Sequence, residues 1–226
     1  MYLDVITGST SNPAALQQLL DRWANEVAPG IRGWRGTTAG VTADGTFAMV
    51  SRIEDEVPTA AGPEKWRTAL IELLGPDPSS GMYDRVTLLE ETEGVARAGF
   101  VQFTLGRVEN PPAADRYLQQ FDEVYAPLRP DMIGRLMARR DDGEFFGAFY
   151  FTSQEQARAG EAQQVSPEIA EMMQRGQELS LTPGAYLDLT SPWIYRPAAA
   201  LTGAASGDTG PMVGLTVRGA GAGAIA

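Results

Sequence analysis

The chain has 226 residues, with 18 Lys and Arg against 29 Asp and Glu, so its net charge is −11. That balance repels a phosphate backbone and anionic lipid alike, and neither nucleic acid nor a membrane is expected as a partner. The absence of Cys and His excludes disulfides, thiol nucleophiles, imidazole bases and His-ligated haem, and no cofactor or metal is expected.

The first residues, Tyr2–Thr7, read as a β-strand that ends at Gly8. They contain no basic segment and no apolar stretch of signal or membrane length, so a cytoplasmic protein is expected. Asn12 then offers a side-chain oxygen to the first free amides of a helix, and Pro13 suits the position that needs no donor. Leu16, Leu19, Leu20, Trp23 and Val27 recur at helical spacing and form one apolar face. Pro29-Gly30 stops that helix. Trp34–Val41 and Thr46–Glu54 flank Asp44-Gly45, the signature of a tight hairpin. A second helix carries Trp66, Leu70, Leu73 and Leu74, and Arg85–Leu89 is the expected last strand of the first half.

The second half repeats these devices. A shift of 98 positions pairs Gly8 with Gly106, Asn12-Pro13 with Asn110-Pro111, Leu20 with Leu118, Ala28-Pro29 with Ala126-Pro127, Gly36 with Gly134, Asp44-Gly45 with Asp142-Gly143 and Phe47 with Phe145. These are places where a backbone needs a cap, a turn or a close approach. Ser153–Gly160 is an extra capped segment, Ile169, Met172 and Met173 mark the second helix with the Met pair read as core filling, and Tyr186–Leu189 is the expected last strand.

Each half therefore reads as a βαββαβ unit with both helices on one sheet face. The other face also needs cover, and two tandem ferredoxin-like units supply it by packing sheet to sheet. The expected fold is α+β: a single-chain version of the dimeric α+β barrel, helices outside and a modest pocket inside. The units are expected at 1–92 and 100–196. From 197 to 226 the chain is rich in Gly and Ala, with only Asp208 and Arg218 charged and no aromatic residue, and is expected to be a disordered tail.

The run Gly33-Trp34 through Thr37-Thr38-Ala39-Gly40-Val41-Thr42 to Asp44-Gly45-Thr46-Phe47, with Arg52-Ile53-Glu54, resembles actinobacterial proteins of the dimeric α+β barrel superfamily. So do Tyr150-Phe151-Thr152-Ser153 and Tyr186-Leu187-Asp188-Leu189. Within it the chain looks most like the antibiotic-biosynthesis monooxygenase group. The resemblance spans about 1–196 and implies a small-molecule-binding barrel, with cofactor-independent oxygenation of an aromatic or polyketide-like substrate as the matching activity. It carries no catalytic residue onto a position of this chain. The haem-degrading branch is disfavoured by the missing His.

Strand alternation supplies candidate site residues. Leu3, Val5, Val101, Phe103 and Leu105 form an apolar face expected to look toward the helices, while Asp4 and Gln102 point the other way. Each is either a hydrogen-bonded strut or a ligand contact. Arg52 and Tyr150 are an aligned pair on the third strands: Arg52 can clamp an anionic oxygen and Tyr150 can donate to a phenolic or carbonyl oxygen. The structural alternative pairs Arg52 with Glu54 or Asp4. Trp34, Trp66 and Trp193 are either core or stacking surfaces for a flat ring. The alternative to a ligand-binding barrel is a scaffold or cargo protein whose tail, through Val213, Leu215 and Val217, docks on a protein partner.

Overall fold

The computed structural model describes residues 1–54, 64–91 and 93–197. Strand β1 (Tyr2–Ser9) leads into helix α1 (Pro13–Glu26), and β6 (Phe100–Val108) leads into α3 (Pro111–Tyr125) in the same way. The caps match those expected. Asn12 Oδ1 accepts from Ala15 N and Asn110 Oδ1 from Ala113 N, both at 3.1 Å, which satisfies one orphan amide at each helix start. Hairpins β2 (Trp34–Val41) to β3 (Thr46–Ile53) and β7 (Met132–Arg139) to β8 (Glu144–Phe151) turn at Gly45 and Gly143, with φ of 87° and 89°. Those angles suit residues without Cβ. Helices α2 (Glu64–Leu73) and α5 (Pro167–Glu178) follow, with α4 (Gln154–Glu161) inserted in the second half and capped by Ser153.

The remaining strands are β4 (Ser79–Tyr83), β5 (Arg85–Glu91), β9 (Ser180–Leu189) and β10 (Trp193–Tyr195). They build two five-stranded sheets, ordered β10-β2-β3-β1-β4 and β5-β7-β8-β6-β9. This corrects one strand assignment. Arg85–Leu89 does not close the first sheet; β4 does, pairing with β1, while β5 pairs with β7 of the other sheet. Only Asp84 separates β4 from β5, so one stretch of chain turns the corner between sheets. β10 makes the reciprocal crossing, placing Trp193–Tyr195 against Ala39–Thr37 of β2. Ser79-Ser80-Gly81 has weak intrinsic β preference, and its extended state comes from pairing with β1.

The largest core lies between the sheets, where Leu3, Val5, Val50, Val101, Phe103, Phe146, Tyr150 and Leu189 meet. The expected direction of the first strands is therefore inverted: Leu3, Val5, Val101 and Phe103 look into the barrel, with Leu105 half-buried against them, and Asp4 and Gln102 stand on the helix face. Both faces of each sheet are covered, so alternation tells which residues share a face but not where that face points. Aromatic rings pack against one another at the centre of the barrel. Phe103 lies 5.0 Å and Tyr83 6.2 Å from the Phe146 ring. A second core, with Ile6, Leu16, Leu20, Trp23, Phe47, Met49, Trp66 and Leu70, packs α1 and α2 on the first sheet. Each such side chain contributes roughly 1.5–3 kcal/mol by leaving water. Met173 is the exception to core filling: it is exposed on α5.

No helix among the described residues is long and apolar enough to cross a membrane. The tail expected at 197–226 lies outside the described residues beyond Pro197, as do Val213, Leu215 and Val217.

Candidate functional site

The helix face of the first sheet carries two adjacent cross-strand rows. Register places Asp4 opposite Ser51 and Ser51 opposite Thr37; the neighbouring row is Tyr2, Ile53 and Trp34. Directly opposed side chains sit about 5 Å apart at Cβ, so each row is a contiguous strip. The polar strip is hydrogen-bonded from one end. Trp34 Nε1–H donates to Thr37 Oγ1 at 3.0 Å, and Thr37 Oγ1 lies 2.8 Å from Ser51 Oγ. Above the strip stand two further indoles: Trp23 of α1, edge-on to Trp34 at 5.8 Å, and Trp66 of α2, 5.3 Å from Trp23.

Three donors in this layer have no acceptor among the described residues: the Tyr2 hydroxyl, Trp23 Nε1 and Trp66 Nε1. Their residues are 5%, 3% and 9% exposed. Buried polar groups normally find a partner, and a lone one costs about 1–3 kcal/mol, so three in one layer form a set that calls for an acceptor. Asp4 stands beside them. Burial raises its carboxyl above the ordinary aspartate range, and the Arg67 guanidinium on α2 opposes that rise only in part. Burial, helped by the Asp4 charge, also raises the Tyr2 phenol, which keeps that hydroxyl a donor. The layer thus presents donors, one carboxyl made a stronger proton acceptor by burial, and aromatic faces. Among the described residues no group of three or more carboxylates is placed to hold a metal ion.

The matching layer of the second unit has different chemistry. Its row is Asp188, Gln102, Phe149 and Arg135. At the shift of 98, Phe100 stands for Tyr2, Gln102 for Asp4, Phe121 for Trp23, Phe149 for Ser51 and Arg135 for Thr37. The lone donors are gone. Gln102 Nε2 donates to Asp188 Oδ1 at 3.0 Å, Arg158 pairs with the other Asp188 oxygen and with Glu161, and Arg135 pairs with Asp122.

The four residues singled out from sequence therefore separate. Asp4 belongs to the donor-rich layer, whereas Gln102 is held in the Asp188 network. Arg52 and Tyr150 lie on the inner faces, in the seam between the sheets, where both are buried and close enough to influence each other's charge. Tyr150 Oη lies 2.9 Å from Thr38 Oγ1, which ties the two sheets. Arg52 Nη2 reaches the Arg35 carbonyl at 3.4 Å, and its guanidinium occupies the space a Cβ on Gly36 would need; Gly36 has a φ of 143°. Burial lowers the Arg52 pKa and raises that of Tyr150. Of the carboxylates considered for Arg52, Glu54 pairs with Arg35, and register puts Asp4 on the opposite face of the sheet. Sequence reasoning missed Tyr2, Trp23, Ser51 and Thr37. The available signal was the aligned substitution itself: Phe stands at the positions of Tyr2, Trp23 and Ser51, and Arg135 at that of Thr37.

No protein-family profile and no curated protein matches the sequence. Solved structures do match in fold. A candidate monooxygenase of Fusobacterium nucleatum superposes with a TM-score of 0.63 at 10% identity, covering 86% of this chain and 94% of that one. An anthrone oxidase-like protein gives 0.62 at 11% identity, with 86% and 92% covered. A candidate monooxygenase of Lactobacillus acidophilus gives 0.59 at 9%, with 84% and 95% covered. The chain shares the fold of these proteins.

Proposed function

We propose that the first unit binds a flat aromatic molecule bearing carbonyl or hydroxyl oxygens between α1, α2 and the sheet, and oxygenates it without a cofactor. The observation that carries this reading is the set of three buried donors, Tyr2 Oη, Trp23 Nε1 and Trp66 Nε1, with no acceptor among the described residues. A ligand oxygen supplies what they lack, and the indole faces suit a planar ring. The fold shared with candidate monooxygenases and an anthrone oxidase-like protein supports the reaction class.

In this reading Asp4 accepts a proton from the bound molecule. The charge left behind is delocalised onto a substrate oxygen held by the donors, and the electron-rich anion is the species that reacts with O2. Arg52, Tyr150 and Gln102 hold the frame and do not touch the ligand. The test pairs two measurements: quenching of tryptophan fluorescence by 1,8-dihydroxyanthraquinone, and O2 uptake with the corresponding anthrone. Asp4→Asn is expected to abolish O2 uptake and retain quenching. Absence of both signals in the unmodified protein contradicts the reading.

A further inference from the structure

The helix layer of the second unit contains a cavity of ≈ 70 Å³ at the end of the sheet remote from the Gln102 row. Ala114 and Leu118 of α3, Leu179 after α5, Met137 of β7 and Phe145 of β8 supply apolar walls, and the exposed Thr87 of β5 marks its mouth. Two small residues create the space. Ala114 stands at the position of Leu16, which is fully buried and fills the equivalent region of the first unit together with Leu20, Phe47 and Leu74. Gly176 of α5 lets the Tyr117 ring lie against the helix backbone, where any Cβ would collide with it.

The polar groups at the rim are engaged with each other. Arg139 holds Asp115 through two hydrogen bonds, Nε to Oδ1 at 2.7 Å and Nη2 to Oδ2 at 2.5 Å, so the pair is neutral as a unit and presents no spare counter-charge to an ion. Apolar walls of this kind favour apolar guests over water. From these features we infer that the second unit has its own binding site, for the end of a neutral aliphatic chain. A volume of ≈ 70 Å³ is well under the roughly 150 Å³ of a cavity that takes benzene, so only the end of a chain fits. The inference is independent of the donor cluster in the first unit.

The experiment follows methyl resonances of Ala114, Leu118, Met137 and Leu179 while the full chain is exposed to xenon and, separately, to 1-butanol. Both are expected to give saturable shifts confined to these methyls. Ala114→Leu is expected to abolish the shifts and raise the thermal midpoint, with Ala114→Val as the milder filling variant should Leu prevent folding. Tyr2→Phe, in the other unit, is expected to leave them unchanged. No saturable shift in the unmodified chain, or equal shifts in both filled variants, overturns the inference.

Discussion

The two helix layers of this molecule share strand order, caps and turns, yet they resolve their polar groups in opposite ways. In the second unit charge is matched inside the protein: Arg129 is buried and bonded to Asp131, Tyr125 Oη and the Ala157 carbonyl, and Asp188 is shared by Gln102 and Arg158. In the first unit three donors have no acceptor among the described residues, beside a desolvated carboxyl. One layer pairs its polar groups internally; the other, among the described residues, does not. Since both sit on the same frame, the difference isolates side-chain chemistry from fold.

The largest expected effect lies in the complete layer. Asp131→Ala leaves the Arg129 guanidinium, 6% exposed, without its carboxylate, and breaking such a pair costs about 3–5 kcal/mol. Chemical denaturation reads this directly; a loss under about 1 kcal/mol would mean that the second unit is not held together by its internal charges.

The incomplete layer predicts a different pattern. Tyr2→Phe, Trp23→Phe and Trp66→Phe each remove one donor, and each is expected to weaken binding of 1,8-dihydroxyanthraquinone by about 0.5–1.5 kcal/mol, or roughly 2- to 13-fold. Tyr2→Phe in particular is expected to leave unfolding free energy unchanged or raised, because it deletes a group that is unsatisfied in the free protein. A loss of stability would show that a partner for that hydroxyl exists within the protein.

The contrast was only partly legible in sequence. Asn12-Pro13, Asn110-Pro111, Asp44-Gly45 and Asp142-Gly143 announce caps and turns because those backbone needs are local. The exchange of β5 and β10 between sheets is not local, since a strand's partner depends on the assembled barrel. The same reason hid the site. Tyr2 and Trp23 look like ordinary core residues, and only register and burial reveal that their polar atoms lack acceptors among the described residues, while Arg52 and Tyr150, prominent as an aligned pair, fall on the inner faces.

A smaller effect concerns pH. Burial raises the Asp4 carboxyl above its ordinary value, so the folded state binds the proton more tightly than the unfolded chain. Stability from this group is complete below the unfolded aspartate pKa, about 3.9, and is lost as pH rises from there through the higher folded value. Asp4→Asn is expected to remove that loss and to be more stable than the parent at pH 7 but not at pH 3. A parent stability that instead rises with pH relative to Asp4→Asn would reverse the assigned sign.

The most direct test follows the indole Nε1–H resonances of all four tryptophans during titration with 1,8-dihydroxyanthraquinone. Trp23 and Trp66, the two without acceptors, are expected to shift downfield together with a stoichiometry of one ligand per chain, while Trp34, already bonded to Thr37, moves little. Saturable binding that leaves Trp23 and Trp66 unshifted, or a stoichiometry of two equivalent sites per chain, would contradict the claim that the first unit alone is built to receive such a ligand.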